Sequence, residues 1–136
     1  MHKSTKAIHA GLPHHSQYGE VSVPIFQTST FSFPSAEEGA ARFAGKNGGY
    51  IYTRIGNPTV NALEENVAAL ENGARAMATA TGMAAITTVF IALLEEGTHI
   101  VSTDCVYGPT RVVLETIFEK FGVESSFVDT SDVQEI

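Results

Sequence analysis

From Asn57 onward, helical and strand-like segments alternate along the chain, and this alternation limits the possible folds more than any other feature. Asn57 is a favourable helix N-cap and Pro58 a favourable first helical residue, so a helix is predicted to begin there. Two further helices are predicted near Gly82 and Pro109. Strands between such helices need crossover connections, so the pattern predicts an α/β fold with a mainly parallel sheet. The predicted apolar helix faces are Val60, Leu63, Val67 and Leu70; Met83, Ile86, Phe90 and Leu93; and Val113, Ile117 and Phe121.

Three short apolar segments next to these helices are predicted to be strands: residues 74–79, 99–103 and 123–128. No closing element is recognisable in residues 129–136. The sheet is therefore predicted to be incomplete.

The N-terminal residues differ from the rest of the chain. Residues 1–57 are rich in Ser, Thr, Gly, Pro and His and show little periodicity. We predict that residues 1–57 form an extended arm that lies across another surface, because such a segment cannot build a core alone. Residues 58–136 are predicted to form a partial α/β domain.

The composition excludes several classes of protein. The chain is 43% hydrophobic and 17% charged, which is typical of a globular protein. Its net charge of −7 comes without a basic cluster, so nucleic acid and anionic membranes are not expected partners. The chain has one cysteine, and we see no secretory signal and no apolar segment long enough to span a bilayer. A cytoplasmic location is predicted.

The segment with the clearest chemical meaning is residues 79–85, where a predicted strand ends and a helix begins at Gly82. The first amides of a helix have no partners within it and carry partial positive charge, so Gly82 and Met83 could bind a phosphate. Glycine also allows a ligand to approach the backbone. The alternative is that Thr81 merely caps the helix. Neither a dinucleotide fingerprint nor a P-loop occurs in the sequence.

Two other segments contain candidate ligand-binding residues. Tyr52 and Arg54 would point the same way in an extended segment, and both can hydrogen-bond a phosphate. An ordinary surface arginine in a loop is the alternative. Tyr107 follows the predicted strand 99–103, where it could stack on a planar ring or simply pack. His14 and His15 have no obvious third metal ligand, and Cys105 is expected to be a small packed residue.

Taken together, these segments resemble the Cys/Met metabolism PLP-dependent family, the trans-sulfuration enzymes that use pyridoxal 5'-phosphate (PLP). This family includes cystathionine γ-synthase, the cystathionine lyases, methionine γ-lyase and the O-acylhomoserine sulfhydrylases. Residues 6–11 resemble its N-terminal arm, and residues 23–31 match a stretch typical of it. Residues 52–59 match its Tyr-Ser-Arg-x-Gly-Asn-Pro-Thr element, and residues 81–85 match its Ser-Gly-Met-Ala-Ala turn.

The resemblance implies the start of an aspartate-aminotransferase-like (fold type I) large domain, preceded by an arm. It implies that Gly82 and Met83 bind the PLP phosphate through their amides. Tyr107 would stack on the pyridine ring and assist proton transfer. Tyr52 and Arg54 would bind the cofactor phosphate of a neighbouring subunit, which implies a dimer with shared sites, paired into a homotetramer. The implied substrates are sulfur amino acids or O-acylhomoserine, processed by β/γ-elimination or γ-replacement.

The sequence also departs from the family pattern. The lysine that holds PLP, the aspartate at its ring nitrogen and the arginine for the substrate carboxylate cannot be assigned in residues 1–136. Many methionine γ-lyases have a cysteine where this chain has Pro109. A chain truncated before the catalytic lysine is therefore expected to be inactive alone. The alternative function is an inactive truncated chain that at most associates with other subunits.

Overall fold

The computed structural model describes residues 2–12 and 18–132. The chain divides into two compact units, the N-terminal unit Met1–Ala78 and the C-terminal unit Thr79–Ile136. The compact units divide after Ala78. The predicted division into an arm of residues 1–57 and a domain of residues 58–136 is a different one and stays a prediction.

The N-terminal unit contains three helices: α1, Lys3–His9; α2, Ala36–Phe43; and α3, Pro58–Glu71. Two of them lie within residues 1–57, so this part of the chain is not extended throughout. Helix α2 begins after Ser35, whose side chain accepts a hydrogen bond from the Glu38 amide at 3.2 Å. The sequence analysis did not predict this short helix, although a capping serine precedes it.

Helix α1 packs on α3 of its own chain through polar contacts. Asn66 Nδ2 donates hydrogen bonds to the carbonyls of Lys6 at 3.1 Å and Ala10 at 2.9 Å. Gly11 follows with a φ of +77°, and a Cβ there would overlap the Ala62 carbonyl oxygen. The prediction that the arm lies across another surface stays a prediction. Helix α1, which belongs to that arm, packs on α3, where Asn66 supplies donors for its backbone carbonyls.

The C-terminal unit contains two parallel strands joined by a helical crossover. Its elements are α4, Gly82–Leu93; β1, His99–Thr103; α5, Gly108–Val112, continued by a π-helical turn Val113–Phe118 and a 3-10 turn Glu119–Phe121; and β2, Glu124–Val128. His99 lies opposite Glu124 and Thr103 opposite Val128 in the parallel register. Two of the three predicted strands and the predicted parallel pairing are therefore present.

The core of the C-terminal unit is formed by Leu114, Phe118 and Val123. The Phe90 ring of α4 meets Phe118 edge-on, with ring centroids 5.5 Å apart. The predicted face of Val113, Ile117 and Phe121 is wrong, because Ile117 and Phe121 are exposed. Two adjacent faces of this helical segment are apolar, one with Leu114 and Phe118 and the other with Ile117 and Phe121. The periodicity alone could not identify which of these faces packs on the strands.

Residues 74–79 are not a strand, contrary to the sequence prediction. A strand needs a hydrogen-bonded neighbour, and within the described part of the chain the sheet contains β1 and β2 alone. The segment is irregular and mostly exposed, and the Ala78 amide donates to the Glu64 carboxylate at 2.8 Å. The composition of this segment indicated its apolar character correctly but not its pairing.

The predicted apolar face of α3 is also exposed. Val60, Leu63 and Val67 are all solvent-accessible. Helix α1 packs near Ala62 and Asn66, which lie on another side of α3. The apolar face of α3 is therefore open to solvent, and polar contacts hold α1 on another side of the helix.

Candidate functional site

The turn that opens α4 presents two backbone donors. Thr81 is extended, with φ −150° and ψ 159°. Its hydroxyl accepts a hydrogen bond from the Ala84 amide at 3.0 Å, and its carbonyl accepts one from the Ala85 amide at 3.1 Å. Within the described residues, the amides of Gly82 and Met83 have no hydrogen-bond acceptor. The start of this helix can therefore donate to an anion.

The space beside Gly82 is open. Gly82 is exposed, and a Cβ built on it meets no atom within 4 Å. Capping by Thr81, the alternative reading of this turn, is present and compatible with anion binding, since the cap uses the Ala84 amide. The turn follows an irregular segment rather than a strand end, so the predicted position at the end of a strand is wrong. The two amides nevertheless belong to the helix start and do not depend on that strand.

Tyr107 lies at the start of α5, after the turn that follows β1. Its carbonyl accepts a hydrogen bond from the Thr110 amide at 2.8 Å, and its side chain is 64% exposed. Thr110 is buried, and its hydroxyl donates to Met83 Sδ at 3.8 Å. Thr110 thus connects the turn that carries Tyr107 to the turn that carries Met83. The structure brings these two predicted regions together and leaves the Tyr107 side chain accessible for stacking.

Tyr52 and Arg54 lie side by side in the N-terminal unit. The Arg54 guanidinium carbon is 5.6 Å from the centroid of the Tyr52 ring. Residues 52–55 form a turn, because the Tyr52 carbonyl accepts hydrogen bonds from the amides of Ile55 and Gly56 at 2.8 and 3.1 Å. The extended conformation assumed from the sequence is therefore wrong here, but the turn still places the phenol beside the guanidinium.

A groove of about 500 Å³ opens beside this pair. It is lined by residues 26–29 and 52–54. The Arg54 side chain is exposed and carries a permanent charge, and the phenol of Tyr52 can donate a hydrogen bond. This edge of the N-terminal unit can therefore bind an anion such as a phosphate.

The predicted site residues are divided between the two units. Tyr52 and Arg54 belong to the N-terminal unit, whereas Gly82, Met83 and Tyr107 belong to the C-terminal unit.

Sequence reasoning missed two residues that organise these sites. Thr110 was not singled out, although its spacing of four from Leu114 places it on the buried column of the helix. Asn57 was interpreted only as a cap, and its second set of hydrogen bonds depends on a distant segment that no local pattern reveals.

Cys105 is exposed rather than packed, which contradicts the sequence expectation. A hydrogen bond with the Asp104 carboxylate, together with its negative charge, raises the pKa of the Cys105 thiol. The reactive thiolate is therefore disfavoured.

The remaining expectations concern metals and membranes. His14 and His15 lie outside the described residues, and residues 2–12 and 18–132 contain no cluster of three potential metal ligands. No helix in the same ranges has the length and apolar character required to cross a membrane.

Comparison with known proteins identifies the protein family that this chain matches. Residues 4–136 match the model of the Cys/Met metabolism PLP-dependent enzyme family. The chain is 48% identical to an L-methionine γ-lyase of Fusobacterium nucleatum subsp. polymorphum, over 97% of this chain and 33% of the relative. It is 44% identical to a cystathionine γ-lyase of Bacillus subtilis, over 100% of this chain and 34% of the relative. The chain thus spans about a third of the length of these curated relatives.

A solved structure gives the same result. A protein from Campylobacter jejuni, described as an O-acetylhomoserine (thiol)-lyase and crystallised with N'-pyridoxyl-lysine-5'-monophosphate, is 31% identical to this chain. The TM-score is 0.87, with 99% of this chain and 33% of that chain covered. The predicted fold class, an incomplete α/β domain of a PLP-dependent enzyme, is confirmed by this likeness.

The residues present fit PLP as the cofactor. Two helix-start amides without acceptors suit the phosphate, and the open space at Gly82 allows its approach. The exposed Tyr107 side chain suits the pyridine ring. The chain belongs to the Cys/Met metabolism PLP-dependent enzyme family.

Proposed function

We propose that the protein that carries this chain is a trans-sulfuration enzyme that acts on sulfur amino acids or O-acylhomoserine by β/γ-elimination or γ-replacement. The observation that carries the proposal is the α4 turn, whose Gly82 and Met83 amides are available and which Thr110 ties to the turn bearing Tyr107. PLP, when bound, supplies an electron sink that labilises bonds at the substrate α-carbon and its neighbours.

The C-terminal unit would hold the cofactor in this proposal. The amides of Gly82 and Met83 donate to phosphate oxygens, which fixes one end of the cofactor. The Tyr107 ring would stack on the pyridine and limit the access of water to it. The phenol of Tyr107 would be placed to relay a proton close to the bound substrate amine.

The N-terminal unit would complete the site of a second subunit. Arg54 can bind a phosphate with two parallel hydrogen bonds, and the neighbouring Tyr52 hydroxyl adds a third. We propose that these side chains reach the phosphate of a partner's cofactor, in a dimer that pairs into a tetramer. The supporting observation is an exposed guanidinium held beside a phenol at the edge of a groove. A cytoplasmic location is proposed as well, in keeping with a single free cysteine.

The reaction subclass is tested by assaying the full-length protein. L-methionine, cystathionine, and O-acetylhomoserine with cysteine or sulfide should be offered separately, and the products identified by mass spectrometry. Methionine is the first choice because of the likeness to an L-methionine γ-lyase, although Pro109 replaces the cysteine of many such enzymes. Protein that is loaded with PLP but turns over none of these substrates would contradict the proposal.

The phosphate role of the α4 turn is tested by comparing Gly82→Pro with Gly82→Ala. Proline suits the first helical position, and the extended Thr81 before it is compatible with proline. Proline removes the amide proton that alanine keeps. We expect Gly82→Pro to bind PLP about tenfold more weakly than Gly82→Ala, at similar melting temperatures. Equal affinities would exclude this amide from phosphate binding.

We further propose that these 136 residues alone are catalytically inactive. Their lysines are Lys3, Lys6, Lys46 and Lys120, and the Lys6 amine is already bound to the Ala69 carbonyl at 2.9 Å. The expected result is that purified chain mixed with PLP shows no absorbance band of lysine-bound cofactor. A band that disappears when one of these lysines is replaced would contradict the proposal.

A further inference from the structure

Asn57 is the buried polar side chain of the N-terminal unit within the described residues. Only 2% of its surface is exposed. Its Oδ1 accepts from the Thr59 amide at 2.9 Å, which caps α3. Its Nδ2 donates to the Phe26 carbonyl at 2.9 Å and to Thr53 Oγ1 at 3.1 Å. A cap needs only the acceptor, so the two donated bonds serve another purpose.

The donated bonds join two separate segments of the chain. Thr53 also donates its amide to the Ser29 carbonyl at 2.8 Å and its hydroxyl to the Thr28 carbonyl. Thr53 is therefore held against residues 26–29 by both its backbone and its side chain. Tyr52 and Arg54 flank Thr53 and are both exposed. Fixing Thr53 thus fixes the direction in which its two neighbours are presented.

Ser35, which caps α2 in the same unit, serves as the comparison for Asn57. Its hydroxyl accepts from the Glu38 amide at 3.2 Å, and the residue is exposed. Asn57, by contrast, is buried and satisfies a carbonyl from a segment 31 positions away in sequence. Loss of this donor would remove the hydrogen bond that joins the two segments at the Phe26 carbonyl, so this bond favours one arrangement of the segments.

We propose that Asn57 is a positioning residue for phosphate recognition, because it holds Thr53 and thereby orients the phenol of Tyr52 and the guanidinium of Arg54. This inference rests on the proposed role of Tyr52 and Arg54 toward a cofactor phosphate. Asn57 itself does not touch the phosphate. Its effect should therefore appear as a loss of preference for a phosphorylated ligand.

The test compares PLP with pyridoxal, which lacks the phosphate, as ligands of the full-length protein. Asn57→Ser keeps a cap acceptor and stays neutral but loses both donated bonds. Thr53→Val removes the hydroxyl between the two segments and serves as a second, independent variant. Dissociation constants for both ligands and the melting temperature are measured. We expect both variants to lose about tenfold of the preference for PLP over pyridoxal.

Two reference variants separate the possible outcomes. Ser35→Ala loses an ordinary cap and should keep the full preference for PLP, even if its melting temperature falls. Arg54→Ala should lose the preference at least as strongly as Asn57→Ser. If Arg54→Ala loses it while both Asn57→Ser and Thr53→Val keep it, the positioning role is overturned and the proposed function stands. If Arg54→Ala also keeps it, the proposed phosphate role of Arg54 fails.

Discussion

The two compact units are held together by different forces. In the N-terminal unit, the described residues that are buried are Gly39 and Asn57, and side-chain hydrogen bonds to the backbone join its segments. In the C-terminal unit, Leu114, Phe118 and Val123 form an apolar core. A hydrogen bond contributes about 1 kcal/mol net, whereas a buried large apolar side chain contributes about 2 kcal/mol. The N-terminal unit therefore depends more on directional hydrogen bonds, and less on a buried apolar core, than the C-terminal unit does.

The difference matches what each unit would present to the cofactor in the proposed function. The C-terminal unit offers backbone amides at a helix start, which need only a stable α4. The N-terminal unit offers the side chains of Tyr52 and Arg54, whose direction must be set by a network. Directional hydrogen bonds suit that task better than apolar contacts, because they specify one arrangement.

The largest effect is expected in the apolar core. Leu114→Ala removes a side chain that is 1% exposed and should lower the free energy of unfolding of the C-terminal unit by about 3 kcal/mol. Ile117→Ala is the control, because Ile117 is 45% exposed in the same helical segment, and its cost should stay near 0.5 kcal/mol, on the order of an ordinary surface change. Amide hydrogen exchange of β1 and β2 measures both. Equal losses would show that the apolar core does not hold this unit together.

A steric change should break the polar docking in the N-terminal unit. Gly11→Ala places a Cβ against the Ala62 carbonyl at φ +77°, and about 2 kcal/mol of destabilisation is expected from overpacking. Gly45→Ala is matched, since Gly45 has φ +67° with no atom near the added Cβ. Exchange protection of α1 amides should fall only in the first variant. Similar protection in both would mean that α1 does not dock on α3 in solution.

A helix cap should contribute the same free energy to helix stability in both units, because it acts only on the first turn of its own helix. Thr81 caps α4 and Ser35 caps α2, each by accepting one amide hydrogen bond. Thr81→Ala and Ser35→Ala should each cost about 1 kcal/mol of helix stability. Urea titrations followed by circular dichroism give the two values, with Thr81→Ser as the neutral control. A much larger cost at Thr81 would indicate that this turn also supports the surrounding core.

The smallest effect concerns an exposed carboxylate of α2. Hydrogen bonds from Arg42, and then from Asn47, lower the pKa of Glu38 from its ordinary value of 4.5. A lowered folded-state pKa adds stability that is present above pH 4.5 and is lost as the pH falls through the folded value. Carboxyl NMR should place the Glu38 midpoint below 4.5, and Arg42→Gln should raise it. An unchanged midpoint in Arg42→Gln would show that the ion pair with Arg42 is not the cause of the lowered pKa of Glu38.

The sequence indicated the C-terminal unit better than the N-terminal unit, and the same difference in forces explains why. Periodicity reports apolar burial, so it located α4, β1, the helix that begins at Gly108 and β2 to within a few residues. It cannot report polar docking, so α1 and the donated hydrogen bonds of Asn57 were missed. The sequence could not show whether the helix face of Leu114 or that of Ile117 is buried, because this depends on how the helix packs on the strands.

The candidate site was predictable to the extent that it depends on local geometry. The helix start at Gly82 follows from glycine, a preceding hydroxyl and an apolar period. The neighbourhood of Met83 and Thr110 depends on residues 27 positions apart, and the contact of Tyr52 with Arg54 depends on a turn that the sequence did not indicate.

The two-stranded sheet has a practical consequence for handling this chain. Within the described residues, β1 and β2 pair only with each other, so each leaves one outer edge of backbone donors and acceptors. Such edges recruit strands from other molecules. Dilute, cold and freshly prepared solutions should stay monodisperse longest, and light scattering that rises steeply with protein concentration should be the first sign that molecules are joining through these edges.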